Sequence, residues 1–173
     1  MDNEFTGRCH GVRVPDDAAY IAEVEDILAN DAFRSMENYI QHGTTTCRDH
    51  CVWVSYRSYF ACRKLGWNSR AAARAGLLHD LFLYDWHDKE IPWVEIHGFT
   101  HPRKAYENAR RIFPLTRREK DLILKHMWPL TVVPPRYKEA YVLMHFDRMS
   151  SLHDTFHEKL LRPLRSFLFP LQG

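Results

Sequence analysis

A chain of 173 residues fits one domain, and 45% hydrophobic with 27% charged residues is the make-up of a globular protein, not a disordered one. Lys and Arg number 24 against 22 Asp and Glu, so the net charge of +2 gives no case for a surface that binds nucleic-acid polymers. No run approaches the roughly 18 apolar residues that a membrane span needs; Phe167-Leu168-Phe169-Pro170-Leu171 is far too short.

The N-terminus, Met1-Asp2-Asn3-Glu4, lacks a basic stretch followed by an apolar run. The expectation is therefore a cytoplasmic protein without a signal peptide. Cys9, Cys47, Cys51 and Cys62 form neither a CxxC pair nor a zinc-finger spacing and read as small packing residues in a reducing compartment. Residues 1–15 read as an arm, and residues 16–173 as one domain.

Gly and Pro are sparse and apolar residues recur at helical spacing, so the expected fold is an all-α bundle of about seven or eight helices. A first helix starts near Asp16-Asp17 and carries Ile21, Val24, Ile27 and Leu28 on one face. A second, short one spans Ala32 to Ile40, and Gly43 with three threonines breaks the pattern. A long helix follows from about Arg48 to Leu65, stopped by Gly66. Asn68 or Ser69 caps an alanine-rich helix running to about Leu83. Tyr84 to Thr100 reads as an irregular loop. Pro102 opens a helix to Phe113, and Thr116-Arg117-Arg118-Glu119 is a capping-box pattern for a helix to about Met127. Beyond Pro129, Pro134 and Pro135, helices are expected over Tyr137–Leu152 and over Thr155–Leu168, the last interrupted at Pro163.

Eleven histidines make metal binding or acid–base chemistry the first question. Ala140, Leu143, Met144 and Asp147 fall on one helical face, and a carboxylate on an apolar stripe is costly unless paired or bound to metal. The run Ala71 to Leu78 is small and apolar and leads directly into His79-Asp80, an imidazole and a carboxylate within one turn. That pair suits divalent Fe, Mn, Co, Ni or Zn. His50 lies on the preceding helix, His101 at the start of the following one and His126 at the end of the next. Ligands drawn from successive helices are how a bundle builds an internal metal site.

The order His50, Leu77-Leu78-His79-Asp80, Asp147 resembles the HD-domain superfamily over about residues 40–152. The resemblance implies a helical bundle with His50, His79, Asp80 and Asp147 as ligands of a first metal. It also implies hydrolysis of phosphate esters, often of nucleotides. A subgroup adds two histidines and a second metal. His101 and His126 stand in those places, with His97 as an alternative to His101, and Asp80 would bridge the two ions. Where some members carry an acid or lysine soon after the pair, this chain has Leu81-Phe82-Leu83-Tyr84-Asp85, so the general acid or base is left open.

The expected function is a metal-dependent phosphohydrolase acting on a small phosphorylated molecule such as a nucleotide, with one or two ions per chain. Asp80, Arg148 and Lys104 are the candidate catalytic residues, and Arg103 and Lys125 further candidate phosphate-binding cations. Trp86, Trp93 and Phe99 belong to a segment that either covers the pocket or packs against it. Two alternatives stand beside this reading. One is a di-iron oxygenase of the kind to which myo-inositol oxygenase belongs. The other is a metal-stabilised, non-catalytic binding domain.

Overall fold

Five of the described α-helices begin where a short polar side chain satisfies backbone N–H groups that have no partner inside the helix. In the computed structural model, which describes residues 13–42, 44–83 and 97–156, Asp17 accepts from the Ala19 and Tyr20 amides and starts α1 (Ala18–Leu28). Asn30 caps α2 (Asp31–Arg34), and a 3₁₀ turn, Ser35–Asn38, follows. Thr46 caps α3 (Cys47–Lys64), and Asn68 caps α4 (Ser69–Leu78). Thr116 and Glu119 form both halves of the capping box that opens α6 (Arg117–Lys125). α5 (His97–Ile112) and α7 (Glu139–Phe156) complete the set. Gly66, at φ +66°, ends the turn after α3 in a left-handed conformation that disfavours any side chain.

The described residues are thus an all-α, single-domain helical bundle with one small hairpin, β1 (Ile40–His42) against β2 (Thr45–Thr46). Among the described helices none is long and apolar enough to cross a membrane.

α4 is the central helix, touching α1, α3, α5, α6 and α7. Every residue from Ala71 to Phe82 is buried, which explains the run of small side chains. The closest approach is to α3: a Cβ on Gly76 would stand 2.5 Å from the Ser55 Cα. Ser55 Oγ also donates to the Ala73 carbonyl and lies 2.8 Å from the Tyr20 hydroxyl, tying α1, α3 and α4 together. On the other side Arg74 pairs with Glu119 of α6 (3.0 Å) and with Asp26 of α1. Glu119 and the Arg74 side chain are buried, so this pairing satisfies groups that would be expensive alone.

Several boundaries differ from expectation. The segment expected to be helical from Ala32 to Ile40 is split into α2, the 3₁₀ turn and β1. The helix expected to run to Leu83 ends at Leu78, and Leu83 takes φ 55°. α5 begins at His97, so His101 lies in its second turn and Pro102 is interior. The proline ring removes one early helical hydrogen bond without ending the helix. The helix expected to end at Leu152 runs on to Phe156. The arm up to residue 12, Cys9, the segment 84–96 with Asp85, Trp86 and Trp93, and the last helix beyond residue 156 lie outside the described residues.

Candidate metal centre

The six expected ligands converge. His50 comes from the first turn of α3, His79 and Asp80 from the turn that ends α4, His101 from α5, His126 from the end of α6 and Asp147 from α7. All are buried: His50 and His79 are sealed completely and Asp147, the most open, is 8% exposed. Asp147 stands where the helical-face argument puts it, continuing a line of buried Ala140, Leu143 and Met144.

Two sets of donor atoms share one carboxylate. His50 Nε2 lies 3.3 Å from His79 Nε2 and 3.3 Å from Asp147 Oδ1. His79 Nε2 is 3.7 Å from Asp147 Oδ1 and 3.4 Å from Asp80 Oδ2, and Asp80 Oδ2 is 3.7 Å from His50 Nε2. Donors held ~2.0–2.2 Å from one ion at tetrahedral angles stand ~3.3–3.6 Å apart, so these separations suit a common cation. The other oxygen of Asp80, Oδ1, is 3.3 Å from His101 Nε2 and 3.7 Å from His126 Nε2. Those two nitrogens are 2.7 Å apart.

The helix ends prepare the imidazoles. His79 Nδ1–H donates to the Gly76 carbonyl (2.9 Å) and His126 Nδ1–H to the Ile123 carbonyl (2.8 Å). Each ring thereby satisfies a carbonyl left over at a helix C-terminus and turns its Nε2 lone pair inward. His50 Nδ1 lies 2.9 Å from Ser150 Oγ, which orients the third ring in the same sense. Such outer hydrogen bonds are how metal-binding histidines are held. The C-terminal ends of α4 and α6 also bring negative helix potential to the cluster, which favours a cation.

The chemistry of the donor set fits a metal. Lone pairs of paired Nε2 atoms repel unless a proton or a metal cation lies between them. Asp80 Oδ1 is buried with no hydrogen-bond donor, a costly state that a cation between it and His101 and His126 relieves. Burial opposes charge on His79, yet Asp80, Cys51 and Asp147 hold its ring well above the ordinary histidine range. Burial works to raise the Asp80 carboxyl, but His79, His101, His126 and His50 bring it down to about 2. Asp147 is likewise opposed by burial and held well below its usual value by His50 and His79. His126 is pushed down to about 3 by burial and by His101 and His79, which keeps it a neutral ligand. Two ionised carboxylates among buried imidazoles therefore attract positive charge, and the buried groups His50–His79–Asp147 and His79–Asp80–His126 could each hold a metal ion.

Two neighbours escape sequence reasoning. Gln41 Nε2, from β1, donates to Asp80 Oδ2 at 2.7 Å, and Cys47 Sγ donates to Gln41 Oε1 at 3.0 Å. Nothing in a three-residue strand marks that glutamine. Ser150 was legible in principle, because it lies three residues after Asp147 on the same buried face.

Of the expected cations, Arg148 and Lys125 have their partners outside the cluster. The Arg148 guanidinium donates to the Trp128 carbonyl, and the residue is exposed. Lys125 pairs with Asp121 (2.7 Å) and donates to the Pro134 carbonyl. Lys104 and Arg103 line a cleft of about 590 Å³ together with Phe82, Phe99 and Thr100, the last two immediately preceding and Phe82 facing the His101 ring. Cys47, Cys51 and Cys62 are buried and form no disulfide among the described residues.

Comparison with known proteins found no matching family model, no matching curated protein and no matching solved structure.

Proposed function

We propose that this chain is a metal-dependent phosphohydrolase of the HD-domain type, acting on a phosphate ester of a small molecule, with nucleotides the first class to test. The observation that carries the reading is the Asp80 carboxylate, whose two oxygens each face a separate pair of imidazole nitrogens. His50, His79, Asp80 and Asp147 would hold one ion, and Asp80, His101 and His126 a second. A divalent ion of the Fe, Mn, Co, Ni or Zn class held there would supply Lewis acidity toward water and a phosphoryl oxygen.

The chain contributes the rest. Burial of the six side chains excludes bulk water, so their charges act in a low-dielectric setting. The site meets solvent at Asp147 and His101, whose side chains are 11% and 7% exposed. Close to His101, Arg103 and Lys104 place positive charge along the adjoining cleft, where a phosphate would be attracted. Phe82 and Phe99 on the same cleft offer apolar surface to a base or other flat group.

The deciding experiment is inorganic phosphate release from a panel of nucleotides and simple phosphate esters, by protein loaded with each metal in turn and kept anaerobic. Release that depends on the metal supports the proposal. Oxygen uptake by the iron form with no phosphate release would replace it with the di-iron oxygenase reading, and metal without any turnover would replace it with a binding domain.

A further inference from the structure

Asp80 follows the last turn of α4, where the backbone has left the helix, and its carboxylate stands between imidazoles on both sides. If the carboxylate is to present one oxygen to each imidazole pair, something must hold its plane. The donor that reaches it is the Gln41 amide, delivered by the hairpin. Gln41 is 6% exposed, and its own orientation is set by Cys47, the first residue of α3, which donates to its carbonyl oxygen. With Oε1 taken by the thiol, Nε2 is turned toward Asp80 and cannot exchange places with the oxygen without setting two acceptors against each other.

We infer that Gln41 is a positioning residue for a two-metal centre, holding Asp80 in the orientation that spans both ion positions. The inference rests on the proposed metal centre and goes beyond it by assigning the hairpin a role. It also predicts an asymmetry. Without an aligned Asp80, one position still has His50, His79 and Asp147, whereas the other has only His101 and His126. Loss of the Gln41 hydrogen bond therefore falls on the second position.

The test is metal titration of the full-length protein with Co(II), followed by its visible spectrum and by equilibrium dialysis. Wild type, Gln41→Ala and Gln41→Met are compared, the methionine filling the same space without a donor. In wild type two equivalents are expected to bind. In both variants the first equivalent should stay within about threefold of wild type. The second should weaken by about 10–100-fold, the usual effect of removing an outer hydrogen bond at a metal site. Far-UV circular dichroism and a thermal melt establish that the variants are folded. Two equivalents bound by Gln41→Met with wild-type affinity would overturn the inference, as would equal weakening of both equivalents in folded variants. Failure of wild type to bind two equivalents would overturn the two-metal centre itself.

Discussion

Gly76 of α4 faces Ser55 of α3 so closely that a methyl group in place of its hydrogen would stand 2.5 Å from the Ser55 Cα. The contact matters beyond packing, because Ser55 lies five residues after His50 and Gly76 three residues before His79. The distance between two helices thereby sets the distance between two candidate ligands.

Gly76→Ala should therefore destabilise the fold and loosen the centre together. Backbone is the obstacle, and it cannot swing aside as a long side chain would, so overpacking of about 1–3 kcal/mol is expected. Helix propensity offsets up to about 1 kcal/mol of this, since alanine is the better helix former. A lower urea midpoint with weaker metal binding is the expected result. A variant as stable as wild type, binding metal as well, would show that α3 and α4 can separate freely.

Ligand variants should separate the two positions. Wild type is expected to carry about two metal equivalents by elemental analysis after purification without chelator. His101→Ala removes a residue that belongs to one position only and should leave about one equivalent. His79→Ala should lose the ion shared with His50 and Asp147. Asp80→Ala should retain one at most, with loss of activity in all three. Each metal-depleted protein should also melt lower than the loaded one, because an ion bound only by the native state stabilises it by mass action. Retention of full metal by His79→Ala would count decisively against the assignment.

The parts of this architecture that show in the sequence are those where one residue type has one physical use. Thr116 and Glu119 at capping-box spacing, Asn68 before an alanine run and Asp147 on an apolar face each exclude most alternatives, and each is found as expected. The hairpin was invisible because strands of three and two residues are too short to show a period-two pattern. The early end of α4 was hidden for the opposite reason: Leu81-Phe82-Leu83 continues the apolar run, and burial in a turn looks the same in sequence as burial in a helix. The buried histidines and aspartates stood out because charge is expensive to bury, whereas Gln41, a neutral amide on a three-residue strand, carries no comparable signal. Arg148 misled because proximity in sequence to Asp147 says nothing of direction, and its side chain turns to the Trp128 carbonyl.

Acid should act on the fold through Asp26. Hydrogen bonding to Arg74 holds its carboxyl below the ordinary aspartate range, although partial burial works the other way. A carboxyl depressed in the folded state adds stability that is fully present above its unfolded pKa, about 3.9. That stability is lost as pH falls through the folded value. Half of the Asp26 side chain is exposed, so solvent screening keeps the contribution small. Asp26→Asn should be slightly less stable than wild type at pH 6, and the gap should close on acidification below about pH 4. Urea melts at pH 6, 4 and 3 would measure it, and a gap that persists unchanged at pH 3 would remove Asp26 from the acid response.

Ser150→Ala should produce the mirror image of the Gln41 substitutions. Ser150 Oγ lies 2.9 Å from Nδ1 of His50, the nitrogen that faces away from the cluster. Accepting the Nδ1 proton leaves the His50 Nε2 lone pair free to point inward. His50 serves only the position it shares with His79 and Asp147. The first metal equivalent should therefore weaken by about tenfold or more in Ser150→Ala, while His101, His126 and Asp80 keep their own geometry. Ser150→Thr retains the hydroxyl and should recover most of the affinity, which a purely steric role at this buried position would not allow. Competition between Co(II) and a chelator of known affinity reads the two equivalents separately. An unchanged first equivalent in Ser150→Ala would mean that helix packing alone orients His50.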